Sequence, residues 1–161
     1  MINSQIPELF RDFYVEFGDL ELQIKRQCFI QLKSAASVEG KDYWYQVPNL
    51  KDQDQRVLNS ILNRISSRNM RRDEVLVELL PFGFWRRQLH RQNFASLWVP
   101  HLNRAFPRLA NPRSLESFLE FDKKMSSVHK ARNFVAHYRL DQVDRVQSAL
   151  RDVLLLRKLM N

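Results

Sequence analysis

The chain has 161 residues, 44% of them hydrophobic, with 3 Gly, 6 Pro and one cysteine, Cys28. That suits one folded domain over 1–161 and excludes a disulfide framework, a multi-cysteine zinc site and a low-complexity chain. The formal charge of +8, from 26 basic and 18 acidic residues, excludes an acidic solvating protein and points to a polyanionic partner, most simply nucleic acid.

The opening stretch "MINSQIPELFRDFY" has no charged-then-apolar leader. No apolar run approaches the ~18 residues of a membrane span, so no membrane partner is expected. With its lone cysteine, the chain fits a reducing cytoplasm. Apolar residues then step by three or four through Phe10, Phe13, Phe17, Leu20, Ile24 and Cys28, and on to Leu32 and Ala35, which predicts a long helix. Gly18 is expected to kink or split it, and Gly40 to end it. "QDQRVLNSILNRISSRN" predicts a second helix with Val57, Leu58, Ile61, Leu62 and Ile65 on one face. A third starts near Asp73, whose side chain can cap it. Pro81 and Gly83 break the chain inside "LPFGFW", and "FASLWVPHLNRAF" reads as a short helix bent at Pro100.

Asn111-Pro112 has the chemistry of a helix start, Asn as cap and Pro in the first turn. The helix carries Phe118, Phe121, Met125, Val128 and Val135 on one stripe. Asp141 is expected to cap a last helix with Val143, Val146, Leu150 and Val153 inward. Alternating strand patterns are absent, so the predicted fold is all-α, a helical bundle.

Eighteen of the 26 basic residues are Arg, whose guanidinium fork matches phosphate oxygens. No acid interrupts Leu79 to Leu115. Within that stretch Arg86, Arg87 and Arg91 are the candidate contacts to RNA. Later comes "KARNFVAHYR" at 130–139. Arg132 falls on the apolar stripe where a Leu is called for, so it must find an anion, snorkel or sit at an interface. His129, Asn133 and His137, four residues apart, run beside that stripe. Arg132 and His137 diverge by about 140° at ~100° per residue. Two such helices packed face to face would therefore bring two Arg and two His around one cleft. There a histidine can take a proton from a ribose 2′-hydroxyl, while an arginine holds the phosphate. Such a pair needs no metal and no cofactor.

Five segments in order, "LELQIKRQCFIQL" (with Glu21 and Lys25 or Arg26), "GKDYWYQ", "LPFGFWRRQL", "LWVPHLNRAFP" and "RNFVAHY", carry a family likeness. The sequence resembles the Abi-like (abortive infection) branch of the HEPN superfamily, whose signature is Arg-x4–6-His with a polar residue after the Arg. His137 is followed by Tyr138, where Abi-like members commonly have His-His or His-Asn. The resemblance implies a HEPN-like helical bundle that pairs through its motif helices into a homodimer. It implies a metal-independent endoribonuclease acting as a toxin or phage-defence effector, with a cognate antitoxin as a further partner. Arg132 and His137 would be the catalytic pair and Asn133 their support. The alternative is a non-catalytic helical module that binds nucleic acid or a partner protein.

The remaining candidates read as structural. His129 is expected on a helix surface, and His90 and His101 in supporting roles. Trp44, Trp85 and Trp98 are expected in the core, with base stacking as the other use of an exposed indole. Glu21 could pair with Arg132.

Overall fold

The computed structural model describes residues 5–161. Met1–Ser4, part of the stretch read as lacking a leader, lie outside them. The described residues form α-helices and short helical turns with no strand, as the unbroken helical periodicity predicts. In chain order the helices are α1 (Gln5–Val38), α2 (Asp52–Leu62), α3 (Arg72–Leu79), α4 (Phe82–Gln88), α5 (Leu115–Ala136) and α6 (Val143–Met160). None is long and apolar enough to cross a membrane.

The chain divides into two units. One holds the described residues up to Gln23 together with Phe106–Asn161; the other is Ile24–Ala105. Helix α1 contributes its first part to one and its second part to the other.

In the first unit, α1 buries Phe10, Phe13, Phe17 and Leu20. The expected break at Gly18 does not occur, because the apolar stripe continues in phase on both sides of it. Burying a Phe and a Leu at ~1.5–3 kcal/mol each outweighs the ~1 kcal/mol a helical glycine costs. Helix α5 buries Phe118, Phe121, Met125, Val128, Ala131 and Val135, and the Phe106 ring meets Phe121 edge-on at 4.6 Å. Helix α6 packs along α5 and buries Val146, Ala149, Val153, Leu156 and Met160, while Val143 and Leu150 are only half-buried. Arg157 of α6 pairs with Glu16 and Asp19 of α1.

The predicted start of α5 moves by three residues. Asn111 adopts a left-handed φ of 47° in a turn closed by the Ser114 amide. Ser114 is the cap, its hydroxyl accepting from the Ser117 amide at 3.2 Å. Asp141 does not cap α6. It accepts from Arg139 Nε and Nη2 at 2.9 Å each, which together with a Gln142 amide donor hold its carboxyl well below the usual carboxylate range.

In the second unit, Ile24, Cys28, Leu32, Ala35 and Ala36 of α1 are buried, and burial pushes the Cys28 thiol up to about 12. Helix α1 stops as predicted. Gly40 has φ 66°, the Lys41 amide donates to Ala36 and the Gly40 amide to Ser37, which is a Schellman ending. Asp73 lies inside the first turn of α3 and Arg71 takes the cap position, so Asp73 is not the cap. Pro81 separates α3 from α4, whereas Gly83 continues inside α4. Trp44, Trp85 and Trp98 are core residues at 2%, 0% and 0% exposure. The Trp44 and Trp85 rings stack with centroids 5.5 Å apart and planes 11° from parallel.

The "FASLWVPHLNRAF" segment is not one bent helix. Pro100 cannot donate a backbone hydrogen bond, and the chain passes through a wide turn at Phe94–Trp98 into a tight one at Leu102–Ala105. The buried Asn103 amide donates to the Trp98 and Val99 carbonyls between the two turns, 2.7 Å each.

Candidate active site

Helix α5 ends where the motif ends. Ala136 is its last residue and His137 its C-cap, with φ −100° and ψ 9°. The Arg139 amide donates to Phe134 and the Tyr138 amide to Val135, the same Schellman pattern as at Gly40. Here Tyr138, not glycine, occupies the left-handed position at φ 50°. A side chain there is disfavoured by ~1 kcal/mol or more relative to glycine. Its ring meets Phe10 edge-on at 5.4 Å, which offsets part of that cost.

His137 is exposed at the cap position. Arg132 falls within the buried arc of α5 but is itself only half-buried, because the small Ala131 beside it takes the buried position. Its Nη1 donates to Asn133 Oδ1 at 3.3 Å in an exposed bond. A half-buried residue whose charged head makes an exposed bond is what a long cationic side chain allows. Among the described residues Arg132 has no carboxylate partner, and the expected pairing with Glu21 is not made. The motif therefore presents a guanidinium steadied by a neutral amide and, five residues on, an imidazole free to face a ligand.

The other basic candidates divide. Arg86 is 7% exposed and donates to the Leu89 carbonyl, so it is not displayed to RNA as the sequence suggested. Arg87 is engaged by buried Asp54, its Nη2 at 2.6 Å and Nε at 2.7 Å from Oδ1. Of the expected trio only Arg91 is exposed. Burial of an acid in α2 explains the change: Asp54, 2% exposed, needs a cation, and Arg87 supplies it. Lys25, also buried, donates to the Glu78 carbonyl at the end of α3. His101 bonds Glu39 at 2.9 Å and His90 caps the turn at Arg91–Asn93 through its Nδ1. Both histidines are structural.

One feature that the sequence did not disclose is a groove between α5 and α6, about 580 Å³ in volume. Its walls carry Lys123, Lys130 and Arg145, the ring of Phe134 and three serines, with Asp122 as the one carboxylate. A signal for it exists: Lys123, Lys130 and His137 recur every seven residues, about two helical turns.

No protein-family model, curated protein or solved structure matches this chain.

Proposed function

We propose that this chain is an endoribonuclease of HEPN-like type, cleaving RNA at the C-terminal end of α5. The observation that carries the reading is Arg132 and His137 together: an accessible imidazole, and a guanidinium held by Asn133 with no carboxylate to neutralise it. A structural arginine on a core-facing arc would ordinarily be paired with an acid.

In the reaction, His137 accepts the proton of the ribose 2′-hydroxyl. The 2′-oxygen bonds to the adjacent phosphorus, and the bond from phosphorus to the 5′-oxygen breaks. The departing 5′-oxygen takes a proton from an imidazolium of the cleft or from water, leaving a 2′,3′-cyclic phosphate and a 5′-hydroxyl. Arg132 stabilises the charge that builds on the phosphate oxygens. Asn133 keeps the guanidinium aimed. Neither step draws on a metal or cofactor. Because Arg132 and His137 diverge around one helix, the working cleft is shared between two chains paired at their α5 ends. The likeness to the Abi-like branch supports a toxin or phage-defence role in the cytoplasm, restrained by an antitoxin.

The test is incubation of purified protein with RNA in EDTA. His137→Ala and Arg132→Ala should each lose ~10²–10⁴-fold in cleavage rate while keeping the parent's circular dichroism. A deoxyribose at the cut site should block cleavage. Parental activity in His137→Ala would overturn the assignment. RNA binding without any cleavage by the parent would favour the non-catalytic module instead.

A further inference from the structure

The groove between α5 and α6 and His137 fall in one row along α5, with Arg132 on another face of the helix. At ~100° per residue, His137 stands 18 residues, five whole turns, beyond Leu119 at the groove's far end. It stands seven residues, within about 20° of the same direction, beyond Lys130. The residues of α5 that line the groove step from Leu119 through Lys123 and Lys130 to Phe134, and the next position in that row is His137.

The charge of the groove is also unspent. Lys123, Lys130 and Arg145 are exposed and form no ion pair among the described residues. Some cations elsewhere in the chain are answered, Arg87 by Asp54, Arg139 by Asp141 and Arg157 by Glu16, whereas these three line one groove. Three unanswered cations against one carboxylate suit a polyanion with regularly spaced charges. The Phe134 ring in the same wall offers a face on which a base can stack.

We propose that this groove seats a single strand of RNA and leads it along α5 to His137. The inference rests on the ribonuclease reading for the direction of the strand, and on the groove's own charge for its occupant. Lys123 and Lys130 stand ~10.5 Å apart along the helix, a distance a stacked strand covers in about three nucleotides at ~3.4 Å each. Each cation then meets a phosphate, and a ribose reaches the helix end with its 2′-hydroxyl toward the imidazole.

The experiment measures binding of a fluorescent oligouridylate to the His137→Ala protein across a salt series. It is repeated with Lys123→Gln, Lys130→Gln and Arg145→Gln added together, and with Lys130→Gln alone. The triple variant should weaken binding by tenfold or more at low salt. Its log–log salt slope should shallow by about 2, at ~0.7 for each phosphate no longer neutralised. Lys130→Gln alone should produce about a third of that slope change. These substitutions are at exposed positions, and circular dichroism checks that the fold is kept. Unchanged affinity and slope would overturn the groove while leaving the motif's chemistry standing. The same series is run with a fluorescent poly-glutamate, and if the triple variant loses that ligand while keeping oligouridylate, the groove proposal is overturned in favour of an acidic protein. Conversely, if the parent binds RNA without cleaving it but the triple variant still loses RNA, the groove stands and the ribonuclease reading falls.

Discussion

Asp54 carries a carboxylate into a site with 2% exposure, and everything around it answers that charge. Arg87 reaches it with two nitrogens, and Gln88 donates to its second oxygen at 3.2 Å. The Gln88 amide also donates to the Phe84 carbonyl, and Asn93 donates to the Arg87 carbonyl. Gly83 belongs to the same arrangement, since a Cβ there would meet Arg87 Nη1 at 3.3 Å. Asp54→Ala should cost about 2–3 kcal/mol, because it leaves a half-buried guanidinium without its counter-charge. Urea denaturation measures this, and a change under ~0.5 kcal/mol would show the network to be dispensable. The sequence concealed the pairing because Asp54 and Arg87 lie 33 residues apart. An acid-free stretch looks like a binding surface until the acid arrives from elsewhere in the fold. For Arg132 the reverse holds. Its place on an apolar stripe was legible, and its exposed bond to Asn133 is one of the outcomes that position permits.

At the scale of the helices, two glycines and one tyrosine show how much of the backbone can be read from residue type. Gly40 ends α1 at φ 66°, and Gly18 does not end it. The two should therefore respond oppositely to alanine. Gly18→Ala should stabilise by up to ~1 kcal/mol, since a Cβ there meets nothing within 4 Å. Gly40→Ala should destabilise by ~1 kcal/mol, because the left-handed conformation penalises a side chain. Thermal melts of the two variants should shift in opposite directions, and a shift in the same direction would contradict the geometry. The end of α5 was harder to read, because Tyr138 takes the position glycine usually fills. Nothing in the residue type announces a left-handed tyrosine; its edge-on partner Phe10 comes from α1, more than a hundred residues earlier. Similarly, Asn111-Pro112 has the chemistry of a helix start, yet Ser114 holds the Ser117 amide. Periodicity located the buried stripes of α1 and α5 because burial repeats with the helix. The caps depend on one or two side chains, and several residue types compete for each.

For the whole molecule, the divergence of Arg132 and His137 around α5 makes assembly the decisive property. Arg132→Ala and His137→Ala, each inactive alone, should regain part of the parent's cleavage when mixed under conditions that let subunits exchange. A mixed pair keeps one intact Arg from one chain and one intact His from the other. A protein that stays monomeric at micromolar concentration and still cleaves RNA would remove the shared cleft. The all-α class was legible because no segment alternates with a period of two. The groove was not, because it exists only where α5 and α6 come together. The placement of the indoles has a separate consequence. Trp44, Trp85 and Trp98 all belong to Ile24–Ala105, whereas Arg132, Asn133 and His137 belong to the other unit. Trp44 and Trp85 are buried face to face, and neither ring nitrogen has a hydrogen-bond acceptor among the described residues. Tryptophan emission from this protein is therefore a blue-shifted reporter of one half of the chain. The half that holds the motif has no tryptophan of its own, and a dye attached near the end of α5 supplies the local signal that the indoles do not.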